Sequence, residues 1–242
     1  MQRVSVDGNH YFDSATLRQM LSVHAASPTD RHGVYSQALL VADIGALEAV
    51  YQNNGFSKVK VTPETSIGET PARAESTHAA DKPGNPAPLT VVYHIAEGKQ
   101  QRVGAVHVEG NDHVDTAKLL PLLNTAAGQL LSPQNLAGDR DALLTDYLSR
   151  GFDQARVEVG QQPDPADAVN EDVVFHITEG RQFFVRKVLI TGLHYTRPDT
   201  VARAITLHPG DPLNQSALQQ TQLNLYDFAL FNDCLLYTSR CV

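Results

Sequence analysis

The sequence is almost empty of cysteine. Its only two, Cys234 and Cys241, lie within the last nine of 242 residues. No disulfide scaffold can therefore organise the body of the chain, and neither a CxxC redox pair nor a Cys/His zinc spacing occurs. This usage suits an oxidising compartment and a reducing one equally. Long apolar runs are also missing: none approaches the ~20 residues of a membrane helix. The N-terminal residues MQRVSV enter a strand pattern at once, with no apolar leader core, so no signal peptide is visible. If the parent protein is exported, the chain is expected to be a fragment that has lost its leader. Positive charge is scarce, with 19 Lys and Arg against 27 Asp and Glu and a net charge of −8. That balance excludes the broad basic face of a general nucleic-acid binder. HExxH, G-x-S-x-G, a P-loop and GxGxxG are all absent, so no enzyme or cofactor signature is present.

What the chain does have is folding capacity and repetition. Its apolar content of 42% suits a globular protein, and its length suits one large domain or two to three small ones. The segment VVYHIAEGKQ at 91–100 returns as VVFHITEGRQ at 173–182, identical at seven of ten positions. With that match as a frame, the rest of each unit falls into register. Alternating strands ending in glycine open at Val4, Val106 and Val188, reaching Gly8, Gly110 and Gly192. Asn9 and Asn111 follow the first two glycines. A short first helix is predicted after each, capped by Asp13 or Ser14 before 17–23, by Asp115 before 117–120, and led by Pro198 in the third unit.

The second helix has the clearest start. Ser36, Ser132 and Asn214 are its N-caps, preceded by Tyr35, Leu131 and Leu213 and followed four residues later by Leu40, Leu136 and Leu218. It ends in Tyr51-xxx-Gly55-Phe56 and Tyr147-xxx-Gly151-Phe152, with glycine placed to take the left-handed conformation that stops a helix. A strand follows, read as Val59-x-Val61 in one unit and Val157-x-Val159 in the other. Then come a long loop at 62–88, or a shorter one at 161–171, and a closing strand at 89–96 or 172–178. Each unit reads β-α-α-β-β, an α+β fold with two helices on a three-stranded mixed sheet. The predicted domains are 1–99, 100–180, an incomplete unit at 181–233, and an aberrant tail at 234–242. In the third unit the cap-to-tyrosine spacing, Asn214 to Tyr226, is three residues shorter. The tail reads as a truncated or misassembled reading frame, with a natural variant strand as the alternative.

The strand-Gly-Asn opening, the helix ending Tyr-xxx-Gly-Phe and the closing strand ending Glu-Gly resemble the POTRA domain, the polypeptide-transport-associated module. Three units in order are similar to the tandem POTRA domains of BamA-type outer-membrane protein assembly factors. The resemblance covers residues 2–233. It implies a periplasmic region, attached in the parent to the outer membrane through a C-terminal barrel that is absent here. It also implies partners: unfolded outer-membrane proteins and accessory envelope proteins. Two alternatives are the POTRA region of a two-partner secretion translocator, whose clients are secreted polypeptides, and a non-transporting envelope scaffold. No nucleic acid, cofactor, metal or catalysis is implied.

An open three-stranded sheet leaves unpaired backbone groups at its margins, where an extended client can add as a further strand. The resemblance puts the second strand of each unit at the accessible margin. The candidate peptide-binding residues are Ser57, Lys58, Val59, Lys60 and Val61, with Gln154, Ala155, Arg156, Val157, Glu158 and Val159. Read blandly, these are edge strands blunted against aggregation by Lys58, Lys60, Arg156 and Glu158. His94 and His176 recur in the closing strands and read as sheet-surface residues. Glu97 and Glu179 recur too and read as turn or interdomain hydrogen-bonding groups. Asp139 and Asp141 read as a solvated helix face.

Overall fold

The structure, a computed structural model, describes residues 3–26, 32–67, 89–165, 167, 169–193 and 196–228. The chain packs as two compact units, residues 1–104 with 128–134 and 163–171, and residues 105–127 with 135–162 and 172–242. Among the described residues no helix is long and apolar enough to cross a membrane.

The first repeat runs β1 (Arg3–Asp7), α1 (Ser14–Gln19), α2 (Gln37–Gln52), β2 (Lys60–Ile67) and β3 (Leu89–Ala96). The second runs β4 (Val103–Glu109), α3 (Thr116–Leu119) followed by a 3-10 turn at Leu120–Leu122, α4 (Pro133–Ser149), β5 (Arg156–Pro163) and β6 (Glu171–Thr178). Both make a three-stranded sheet with the closing strand in the middle, in the orders β1-β3-β2 and β4-β6-β5. In the first, β1 lies parallel to β3 from Arg3↔Thr90 to Asp7↔His94, and β2 lies antiparallel from Lys60↔Ala96 to Ile67↔Leu89. The two near-identical segments that revealed the repeat are thus the two central strands.

The central strands alternate because one face of each sheet is covered by helices. Val91, Tyr93 and Ile95 are buried with Leu40, Leu47, Tyr51 and Leu17 in one core cluster. Val173, Phe175 and Ile177 are buried in the second repeat, as are Leu136, Leu143 and Tyr147 on α4. At roughly 1.5–3 kcal/mol for each large apolar side chain taken fully from water, these faces dominate the stability of each repeat.

Capping follows the sequence closely. The Asp13 carboxylate accepts from the Ala15 and Thr16 amides, Asp115 from Ala117, Ser36 from Leu39, and Asn214 from Ser216 and Ala217. Ser132 stands immediately before Pro133, the first residue of α4. Gly151 takes φ +88, and an added Cβ would lie 2.5 Å from the Phe183 carbonyl oxygen; Gly55 stands equally close to that of Gln101. In the same places Gln101 donates its amide to the Gly55 carbonyl at 2.7 Å, and Phe183 donates to Gly151 at 2.9 Å.

Several expectations are corrected. The first loop is shorter than 62–88: Thr62 to Ile67 continue β2, because β3 offers eight residues of ladder to pair with. All six residues of β2 after Val61 are exposed, so the apolar alternation that marks a strand is missing there. Residues 68–88 lie outside the described residues. In the second repeat β5 likewise runs on to Pro163. The helix placed at 17–23 is Ser14–Gln19, with buried Val23 in the segment after it.

In the third repeat α5 (Pro198–Ala202) and α6 (Gln215–Asp227) form as expected, around a small cluster of Val201, Ala204 and Leu225. The strand expected from Val188 does not form, and Leu189 is 74% exposed. In the complete repeats the opening strand pairs with the closing strand, and no described segment supplies that partner here. Tyr226 is not the counterpart of Tyr51 and Tyr147. It is 45% exposed, whereas Leu225, eleven residues after the Asn214 cap as Leu47 is after Ser36, is buried. The tail at 234–242 lies outside the described residues.

Candidate functional site

The recurring sequence marks are one hydrogen-bonded constellation, written twice. In the first repeat the Glu97 carboxylate accepts from the amides of His10 (2.7 Å) and Tyr11 (2.8 Å) and from the Tyr51 hydroxyl (2.9 Å). In the second, Glu179 accepts from the His113 amide (3.1 Å), from His113 Nδ1 (2.5 Å) and from the Tyr147 hydroxyl (2.9 Å). Asn9 and Asn111 tie the same loops, donating to the carbonyls of Phe12 and Val114 at 2.8 Å. An added Cβ at Gly110 would collide with the Ile177 carbonyl oxygen, so only glycine lets the loop pass there. The two glutamates therefore act inside each repeat and not between domains. They lock the end of the closing strand to the end of the second helix.

Burial pushes the Glu179 carboxyl up, but the hydrogen bonds from His113 and Tyr147 outweigh it and hold the group below its ordinary value. Burial, together with the glutamate beside each, pushes the Tyr51 and Tyr147 hydroxyls up, so both stay protonated donors.

A second recurring carboxylate pair, this one buried in both repeats, was not read from the sequence. Asp43 accepts from the amides of Ser22 (2.8 Å) and Val23 (2.9 Å) and from the Tyr93 hydroxyl (3.0 Å). Asp139 accepts from the amides of Asn124 (2.7 Å) and Thr125 (2.8 Å). Asp139 is 0% exposed, which corrects its reading as part of a solvated face. Asp141 alone is solvated, beside Arg140. The available signal was position. Each aspartate lies three residues after one buried leucine and four before another, at Leu40/Leu47 and Leu136/Leu143, on the apolar stripe. His94 and His176 lie on the open sheet faces, beside Asp7 and Glu64 in one case and Glu109 in the other.

The predicted margin residues divide into two groups. β2 and β5 both stand at a sheet margin. Lys60 and Val61 lie in β2, and Arg156, Val157, Glu158 and Val159 lie in β5. Ser57, Lys58 and Val59, with Gln154 and Ala155, precede the strands, which corrects their placement there. The amides of Val59 and Ala155 close turns onto the carbonyls of Phe56 and Phe152 at 3.1 Å, so they cannot join a ladder. Counting from Gly55-Phe56 and Gly151-Phe152, Val61 corresponds to Val157 and Pro63 to Val159, two residues from the pairing read in the sequence.

Backbone direction along the margin follows from β2. Antiparallel pairs alternate between bonded and non-bonded, and Pro63, opposite Tyr93, has no amide to give. Val61, Pro63 and Thr65 therefore turn their backbone groups outward. The Val61 amide agrees: it donates to Glu48 Oε1 of α2, at 3.1 Å. Along a strand of L-residues, side-chain face and N–H direction alternate together. Val157 buries its side chain as Val61 does, while Arg156 and Glu158 are exposed. Its amide, and those of Val159 and Gln161, therefore point out of the sheet as well. No side chain among the described residues takes them.

Comparison with known proteins agrees with this architecture. The POTRA family profile, described as surface antigen variable number repeat, matches residues 1–98 and 101–180. A putative outer membrane protein assembly factor of Treponema pallidum is 24% identical over 236 residues, covering 96% of this chain and 26% of its own length. The outer membrane protein assembly factor BamA of Neisseria meningitidis serogroup B is 26% identical over 224 residues, covering 90% and 26%. The chain thus spans about a quarter of the length of these relatives. The crystal structure of POTRA3-5 of Haemophilus influenzae BamA superposes with a TM-score of 0.57 at 17% identity, over 96% of this chain and 86% of that one. The twice-written sheet, its hydrogen-bonded marks and a profile match over most of the length lead to one assignment: the chain belongs to the POTRA family.

Proposed function

We propose that this chain is the periplasmic polypeptide-binding region of an outer-membrane protein assembly or insertion factor, and that it holds extended client segments by β-augmentation. The observation that carries this reading is β5, an eight-residue strand at a sheet margin whose outward amides meet no side chain among the described residues. Main-chain bonds add about 1 kcal/mol net each and read no sequence, which suits a receptor for many clients. Arg156 and Glu158, of opposite sign, flank the margin and favour neither charge in a client. The relatives' names, outer membrane protein assembly factors, support the choice of clients: unfolded outer-membrane proteins, whose segments alternate like strands. A membrane barrel and accessory envelope proteins in the parent belong to the same reading. So do the repeat boundaries 1–99, 100–180 and 181–233.

The test is capture of a urea-denatured outer-membrane barrel polypeptide by the immobilised chain. Val157→Pro or Val159→Pro removes one outward donor and leaves the β5–β6 ladder untouched. About a fivefold loss of affinity in a folded variant is expected. Unchanged affinity in both folded variants refutes β5 as the site.

A further inference from the structure

The two repeats share one backbone plan but do not offer the same margin. On β2 the first outward amide, Val61, is already bonded to the Glu48 carboxylate at 3.1 Å, and the second outward position is Pro63, which has no amide. An incoming strand would have to strip the carboxylate from Val61 and would find no donor at Pro63. Donors remain only at Thr65 and Ile67, at the exposed far end of β2. On β5 the position of Glu48 is taken by Leu144 and that of Pro63 by Val159. Val157, Val159 and Gln161 thus present three successive outward amides, and the lack falls only at the last residue, Pro163.

We infer that polypeptide capture is confined to the second repeat: β5 is the docking strand for an extended peptide, and β2 is closed to it by Glu48 and Pro63. This rests on the β-augmentation reading above and names which of its two sites works. The first repeat already carries at Pro63 the substitution that would inactivate the second at Val159, and its β2–β3 ladder runs from Lys60 to Ile67 around it. Two missing donors next to the buried start of the strand correspond to roughly 30-fold in affinity between the margins.

The experiment uses the full chain and a synthetic ten-residue peptide of alternating apolar and polar residues. Hydrogen exchange is followed amide by amide, and affinity and stoichiometry are measured by titration. The expected result is one site, with the Val157, Val159 and Gln161 amides gaining protection and Thr65 unchanged. Val159→Pro should weaken binding about fivefold. The double variant Glu48→Leu with Pro63→Val, which gives the first repeat the second's residues, should add a second site of comparable affinity. Protection at Thr65 in the unmodified chain, or a double variant that is folded yet still binds one peptide, overturns the inference while β-augmentation stands. Peptide binding that protects neither margin overturns both, as does no binding to either chain. The unmodified protein decides the first point without any variant.

Discussion

Asp139 offers the sharpest test of the physical account, because the next acidic residue on its helix is its control. Its carboxylate is wholly buried and accepts two backbone amides, Asn124 at 2.7 Å and Thr125 at 2.8 Å, with the Asn124 side-chain amide at 3.2 Å. In Asp139→Ala those donors lose their acceptor. A stranded buried donor costs about 1–3 kcal/mol; the Thr125 bond is buried and the Asn124 bond part-buried, so the two amides together set an expected loss of roughly 2–4 kcal/mol. Asp139→Thr copies the third repeat, where the buried Thr221 hydroxyl accepts the Thr206 amide at 3.1 Å. It keeps one acceptor and should lose about half as much. Asp141→Ala removes only the exposed pair with Arg140 and should stay within about 0.5 kcal/mol. A chain of several repeats does not unfold as one two-state body. The measurement is therefore native-state hydrogen exchange at Leu143 and Phe175, both fully buried in the second repeat. If Asp139→Ala loses no more than Asp141→Ala, the carboxylate is not what holds the 124–125 turn.

Tyr147→Phe removes the hydroxyl that donates to Glu179 at 2.9 Å and should cost about 1.5–3 kcal/mol by the same exchange measurement. Glu179 is held below its ordinary pKa in the folded state, so its contribution is fully present above pH ~4.5 and is lost as the pH falls through the lower folded value. The stability gap between the unmodified chain and Glu179→Gln should accordingly shrink as the pH falls below about 4.5; a constant gap contradicts the assignment. Gly151→Ala forces a side chain into φ +88 and against the Phe183 carbonyl. It should speed exchange at Leu143 and Phe175 and at the Phe183 amide, whose acceptor is Gly151 itself.

Local structure was written in the sequence because it depends on near neighbours. The caps at Asp13, Ser36, Asp115 and Asn214, the left-handed stops at Gly55 and Gly151, and the alternation of the central strands each follow from a few adjacent residues. Repetition turns these local signals into a fold: two copies of one pattern specify β-α-α-β-β. Identity and environment come apart in two places. β2 beyond Val61 is a strand by pairing alone, since its exposed residues carry no alternation. The opening strand of the third repeat has the right residues but no described partner, and a strand without a ladder gains no hydrogen bonds.

The candidate margin shows the same division. The sequence by itself determined that each of the two complete repeats ends its second helix, turns through Gly-Phe and enters a strand. Only the tertiary structure decided which backbone groups face outward, since N–H direction depends on register against the central strand. It alone brought Glu48, thirteen residues before Val61, onto that outward amide. Whether an edge amide is free or taken depends on what folds back over it, and side chains reach it from elements that one-dimensional spacing does not place side by side.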